Sequence, residues 1–297
     1  MKQIVECVPN FSEGRRPEIV QQIVAAISSV PDVMVLDVAS DADHNRSIVT
    51  FVGEPAVVEE AAFRSVSRAA ELIDMTVHKG GHPRMGAADV VPFVPIRGVT
   101  MEECVEIARR LGRRVGEELQ IPVYLYEEAA TRPERRDLAA VRHGEYEGIR
   151  NEIATVESRI PDFGPRQMGK AGAVAIGARA ALVAFNVYLN TEDVEIAKAV
   201  ARAVRHSSGG LRYVKALGLL AEGRAQISMN LTNFKRTPLL RVLEMVRSEA
   251  AKWGATVTET EVVGLIPNEA LIDAALAALQ LHSFKLGQVL ENRIAGL

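Results

Sequence analysis

Residues 33–52, VMVLDVASDADHNRSIVTFV, decide the fold class. Two apolar runs of strand length, Val33–Val38 and Ser47–Val52, flank a polar corner at Ser40–Asn45. Valine, isoleucine and phenylalanine suit a pleated surface, and a Ser/Asp/Asn cluster between two such runs supplies turn chemistry. The segment therefore predicts two strands around a corner. Working back towards the N-terminus, Arg16–Val30 carries apolar residues at helical spacing behind Pro17, a residue suited to a first helical turn. Before it, residues 2–9 (KQIVECVP) read as a strand. Working forward, Gly53-Glu54-Pro55 punctuates the pair, and a helix rich in small alanines runs through Ile73. A glycine-rich segment and a strand at Asp89–Ile96 follow. The order is β-α-β-β-α-β, a recurring split unit. A helix over Thr100–Leu119 and a strand at Val123–Tyr126 extend it.

The rest of the chain repeats the pattern. Residues 172–189 (GAVAIGARAALVAFNVYL) read as strands meeting at a bend around Gly177-Ala178-Arg179 and opening a second half. A helix over Glu192–His206 precedes paired strands, Leu211–Leu220 and Ala225–Leu231, around Glu222-Gly223. Pro238–Trp253 reads as a helix, Val257–Ile266 as a strand and Pro267–Leu279 as a helix. No residue-level repeat links the halves. Between them, Glu127–Lys170 is charged and strand-poor, so it reads as a connector or rim. The expected class is α+β, with two ferredoxin-like βαββαβ-type subdomains, residues 1–178 and 179–297. A substrate groove is expected between them.

Composition narrows the function. The 297 residues carry 35 Lys and Arg against 38 Asp and Glu, a net charge of −3, and 48% are hydrophobic. No basic excess exists to neutralise phosphates, which argues against nucleic acid or anionic membranes as partners. The two cysteines, Cys7 and Cys104, cannot build a disulfide framework and read as small core residues. The N-terminal apolar run is too short for a secretory signal, and no apolar run reaches membrane-spanning length. A cytoplasmic, reduced setting is expected. Serine-nucleophile, CxxC, Rossmann and P-loop signatures are absent.

Two segments concentrate reactive side chains. The first is HKGGHPRMG at residues 78–86, where two histidines, a lysine and an arginine lie among three glycines between a helix and a strand. Glycine permits close backbone approach, and Pro83 biases His82 away from helical angles, so His82 suits general acid–base work at a loop. The plainer reading is a tight turn with solvated side chains. The second is Asp41-Ala-Asp-His-Asn-Arg46 at the strand corner. An aspartate there can orient a histidine, and Asn45 and Arg46 can bind polar groups; alternatively the corner is an Asx-rich turn. Asp43, His44 and His82 do not match known zinc spacings, so no metal is expected. The segment PNFSEGR at 9–15, with Asn10, supplies amide contacts or simply a helix cap. Arg179 and Asn186 place a cation and an amide among apolar strand residues, and Asn230 lies near a strand end.

Taken in order, these segments resemble the formiminotransferase domain. The matching pieces are VECVPNFSEGR, LDV…NRS, HKGGHPRMGA, IPVYLYEEAA, R.GEYEG, PDFGP, GA.A.GAR with AFN, and VGLIP…LIDAA, running from about residue 2 to about residue 280. The resemblance implies two α/β subdomains with a folate groove between them, and a homodimer. It implies transfer of a formimino group from N-formimino-L-glutamate to tetrahydrofolate, the acceptor cosubstrate, late in histidine degradation. The family's catalytic histidine maps onto His82, and its folate-contacting stretch onto Phe163, Gly164, Pro165 and residues up to Gly172. The family's assisting aspartate falls on Ala39 here, so Asp41 or Asp43 is expected to take that part. Asn10, Asn45, Gly81, Asn186 and Asn230 are expected substrate or folate contacts, with Arg46, Arg84 or Arg179 anchoring glutamate carboxylates. The cyclodeaminase activity of the bifunctional members is not expected. The alternatives are a 5-formyltetrahydrofolate cycloligase or formyl-transfer activity on the same scaffold, and a non-catalytic folate-binding protein.

Overall fold

The computed structural model describes residues 3–295. The chain forms two compact units, one running to Ala180 and the other beginning at Ala181. The class is α+β, each unit having its own sheet and its own apolar core.

In the first unit, β1 (Ile4–Cys7) and β2 (Asn10–Phe11) share one lane, interrupted at Val8-Pro9. After α1 (Pro17–Ser28) come β3 (Met34–Asp41), β4 (Arg46–Gly53), α2 (Pro55–Leu72) and β5 (Ala88–Arg97). The β1/β2 lane lies antiparallel between β4 and β5, and β3 forms the edge beside β4. Helix α1 presents Ile19, Ile23 and Ile27 to the core at four-residue spacing, the stripe expected of an amphipathic helix. Helix α3 (Met101–Glu118) is opened by a reciprocal capping box, in which Thr100 accepts from Glu103 N–H and Glu103 accepts from Thr100 N–H.

Residues 174–178, inside the expected bounds 1–178 but read as meeting the strand at 183–189 in a bend, complete the first sheet. They form β7 (Val174–Ala178), parallel to β5 on one side and to β6 (Val123–Glu127) on the other. A strand buried on both faces is apolar throughout and shows no alternation, so periodicity cannot assign it to a sheet. Its small residues permit the close approach. A Cβ on Gly177 would stand 2.5 Å from Tyr126 O.

The stretch 127–170 is likewise more than a connector. It contributes α4 (Leu138–Val141) and α5 (Glu145–Glu152), whose Tyr146 and Ile149 enter the first core. Asp162 ties the segment to the sheet, accepting from Leu125 N–H at 2.8 Å and pairing with the buried Arg135.

The second unit runs β8 (Val183–Leu189), α6 (Val194–Val204), β9 (Val214–Ala221), β10 (Arg224–Leu231), α7 (Leu239–Ala251), β11 (Val257–Val263), α8 (Asn268–Ala278) and α9 (Leu290–Ala295). Its strands are antiparallel in the order β11-β8-β10-β9. The β9–β10 hairpin closes on Glu222 and Gly223, both with positive φ, the two-residue turn that matches strand twist. Cys7 and Cys104 are buried and unpaired.

Candidate functional site

The corner between β3 and β4 and the glycine-rich loop before β5 pack onto each other in the first unit. Register brings Asp41 opposite Arg46, leaving residues 42–45 as the corner. Asn45, at φ 48°, is the joint: its Nδ2 donates to Lys79 O at 3.0 Å, while its Oδ1 accepts from Gly14 N–H at 3.0 Å. The His78 ring donates from Nε2 to Asn45 O at 3.2 Å, and Gly81 N–H reaches Asp43 O at 3.4 Å. This approach needs glycine at position 80, where a Cβ would lie 2.2 Å from His44 O.

His82 is half-buried on this loop. Its Nδ1 lies 2.7 Å from Pro83 O; a carbonyl only accepts, so Nδ1 carries the proton and Nε2 is left as the base. Burial first, then the positive charge of Arg46, pulls the ring down to about 4. The charge of Arg142 acts in the same sense, and Asp89 opposes it. His82 is therefore neutral near pH 7 and ready to accept a proton.

Beneath the loop is a buried ionic cluster. Asp89 is fully buried at the start of β5; its Oδ2 accepts from Arg46 Nη1 at 2.8 Å and from Arg142 Nη2, and its Oδ1 accepts from Met85 N–H at 2.9 Å. Burial alone would raise the Asp89 carboxyl, but Arg142 and Arg46 hold it below the ordinary carboxylate range. Arg46 also donates from Nε and Nη2 to Asn10 Oδ1, at 3.1 and 2.6 Å. Two guanidinium groups against one carboxylate leave a local excess of one positive charge.

The remaining residues picked from sequence divide by surroundings. Asp41 binds His44, not His82: its Oδ2 accepts from the ring Nδ1 at 2.6 Å and its Oδ1 from the backbone N–H at 2.8 Å. Asp43 makes no side-chain ion pair among the described residues. Arg84 is buried and held by Glu145 and Glu147 at 2.7–2.8 Å. Gly81 is exposed, and a Cβ there would make only ordinary contact, 3.7 Å from Asp43 O and 4.0 Å from the His44 ring. Phe163 pairs with Val123 and lies under Gly112 and Gly116 of α3; Gly164 and Gly172 have positive φ, Pro165 is half-buried, and Gly172 bridges Gly86 at the end of the histidine loop. Arg179 donates to Ala180 O at 3.0 Å. In the second unit, Asn186 donates to Glu261 at 3.1 Å, and Asn230 is exposed on β10.

Sequence reasoning gave no part to Asp89 or Arg142. A charged residue heading the apolar run DVVPFV was the available signal, since a buried carboxylate requires a partner. Among the described residues, no group of three or more His, Cys, Asp or Glu side chains is placed to hold a metal ion, and no helix is long and apolar enough to cross a membrane.

The arrangement, an imidazole neutral near pH 7 beside a cluster with one excess positive charge, can take up a proton next to an anionic group. Comparison with known proteins then gives the family. Residues 4–179 match the formiminotransferase domain, N-terminal subdomain, and residues 184–288 match the formiminotransferase domain, so the chain belongs to the formiminotransferase family. A Thermoplasma acidophilum protein named glutamate formimidoyltransferase is 53% identical over 295 residues, covering 98% of this chain and 97% of its own. One of that name from Streptococcus pyogenes is 48% identical and covered in full on both sides. The formimidoyltransferase-cyclodeaminase of Mus musculus is 45% identical over 284 residues, which are 93% of this chain and 52% of the mouse protein.

Proposed function

We propose that the protein is a glutamate formimidoyltransferase: it moves the formimino group from N-formimino-L-glutamate to tetrahydrofolate, giving 5-formiminotetrahydrofolate and L-glutamate. The family match along essentially the whole chain carries this reading, together with the intact histidine loop that presents His82 Nε2. Attack by N5 of tetrahydrofolate on the amidine carbon forms a C–N bond, and N5 must then shed a proton. A neutral His82 accepts it at Nε2 while Pro83 O fixes the opposite edge of the ring. The second C–N bond breaks as the glutamate nitrogen gains a proton and keeps the electron pair. Holding both substrates in register removes an entropic barrier that needs no further chemical group, and the reaction so written calls for no metal.

Of the three arginines considered for the donor's carboxylates, Arg84 is paired with two glutamates, and Arg179 acts on Tyr126 and Glu6. Arg46 is spent on Asp89 and Asn10. With Arg142 sharing its carboxylate, however, it carries the charge excess that acts on the His82 ring, so we favour it as a through-space attraction for the donor's carboxylates, not as a direct ligand. Folate is assigned to the stretch from Phe163 to Gly172, which ends beside the histidine loop. A homodimer in the cytoplasm, with subdomains 1–178 and 179–297, completes the reading.

Purified protein given formiminoglutamate and tetrahydrofolate, without ATP, should release glutamate. His82→Ala should lower kcat by about a hundredfold or more while leaving folate affinity near that of the wild type. Normal turnover by His82→Ala would remove the histidine from the mechanism.

A further inference from the structure

We propose that Asp41 and His44 form a second proton-handling pair of this site, in which His44 Nε2 delivers the proton to the departing glutamate nitrogen. The inference rests on the transfer reaction above and divides its proton traffic between two rings. The His44 and His82 ring centroids are 6.1 Å apart, with ring planes at 71°. Each ring spends its Nδ1 on a fixed acceptor, Asp41 Oδ2 at 2.6 Å for His44 and Pro83 O at 2.7 Å for His82. No hydrogen bond among the described residues occupies Nε2 of either ring, so both present the same nitrogen outward.

Their surroundings have opposite sense. His82 is disfavoured as imidazolium by burial and by the charges of Arg46 and Arg142. His44 instead donates from Nδ1 to a carboxylate, the arrangement that orients an imidazole for proton transfer at Nε2. Asp41 also accepts the His44 backbone N–H at 2.8 Å, and these bonds outweigh partial burial to hold its carboxyl below the ordinary range. Of the two rings, the one whose Nδ1 donates to a carboxylate is placed to give a proton, and the one whose Nδ1 donates to a carbonyl is placed to take one. The other charged groups around the corner are Asp43, Lys79 from the histidine loop, and Arg15, whose Nε donates to Ala42 O at 2.7 Å.

The steps balance. The N5 proton passes to His82 Nε2 as the new C–N bond forms. The His44 imidazolium then gives its Nε2 proton to the glutamate nitrogen, which keeps the electron pair of the breaking bond. His82 returns its proton to His44 before the next turnover, so the cycle consumes none.

The test is steady-state kinetics of His44→Ala, His44→Gln and Asp41→Asn beside the wild type, with circular dichroism to confirm folding and with added imidazoles of graded pKa. The expected result for both His44 variants is a fall in kcat of about a hundredfold with donor KM changed by less than about threefold. Added imidazoles should restore His44→Ala in proportion to concentration and with a dependence on their pKa, which a lost structural contact would not show. A folded His44→Ala protein that turns over like the wild type overturns the inference alone, as does a loss that no imidazole restores. A wild type that transfers no formimino group overturns the functional reading and this inference with it.

Discussion

Replacing Asp89 by asparagine removes one charge while nearly conserving shape, and it isolates what the buried cluster contributes. In the wild type, Asp89 receives Arg46 and Arg142 on one oxygen and Met85 N–H on the other. Asparagine keeps one acceptor oxygen, and its NH2 group must face donors. The two guanidinium groups have side chains only 10% and 12% exposed, so water cannot take over the lost partner. Removing one member of such a buried pair costs about 3–5 kcal/mol. With a urea dependence of about 2 kcal/mol per molar, the midpoint should fall by about 2 M. Urea unfolding, with hydrogen exchange at the amides of β5 as the local readout, measures it. Asp89→Asn combined with Arg142→Gln, which removes one stranded charge, should recover part of the loss. An Asp89→Asn protein within about 1 kcal/mol of the wild type, or a double variant no better than the single, would refute the argument that Asp89 neutralises this cluster.

The remaining predictions concern His82 and its loop. The acid limb of kcat/KM belonging to His82 should lie near pH 4, not near 6.5, read from the pH–rate profile of the free enzyme. Because its folded value is depressed below the unfolded one, the unfolded chain takes up the proton first. Stability should therefore decline as pH falls from about 6.5 to about 4, by no more than about 3 kcal/mol, and His82→Gln should lack this component in urea titrations at several pH values. Gly80→Ala drives a Cβ into His44 O and should destabilise the first unit by about 1–3 kcal/mol with loss of turnover, while Gly81→Ala, whose nearest neighbour is at 3.7 Å, should stay within about 0.5 kcal/mol on denaturation.

Local pattern carried most of the secondary structure. The β3–β4 corner, the α1 stripe behind Pro17, the Thr100 cap and the Glu222-Gly223 turn each depend on residues a few positions apart, so the chain announces them directly. The ordered series of motifs likewise pointed to the family from end to end. The strand partners of residues 174–178 were not readable, because a doubly buried strand has no period that assigns it to a neighbour.

The ionic partners were hidden for a related reason. Asp89 meets arginines 43 and 53 positions away, and Arg84 meets glutamates 61 and 63 positions away. Asp41 turns to His44, three residues on, because the corner closes there. Hydrophobic periodicity records only whether a position is buried. Which charge satisfies a buried charge depends on distance in space, and that distance exists only once the sheet has ordered its strands. Local pattern was thus enough for most strands and helices, the family and the reactive segments, whereas the helices within 127–170, the neighbours of β7 and the ionic partners around His82 were set by contacts that exist only in the folded chain.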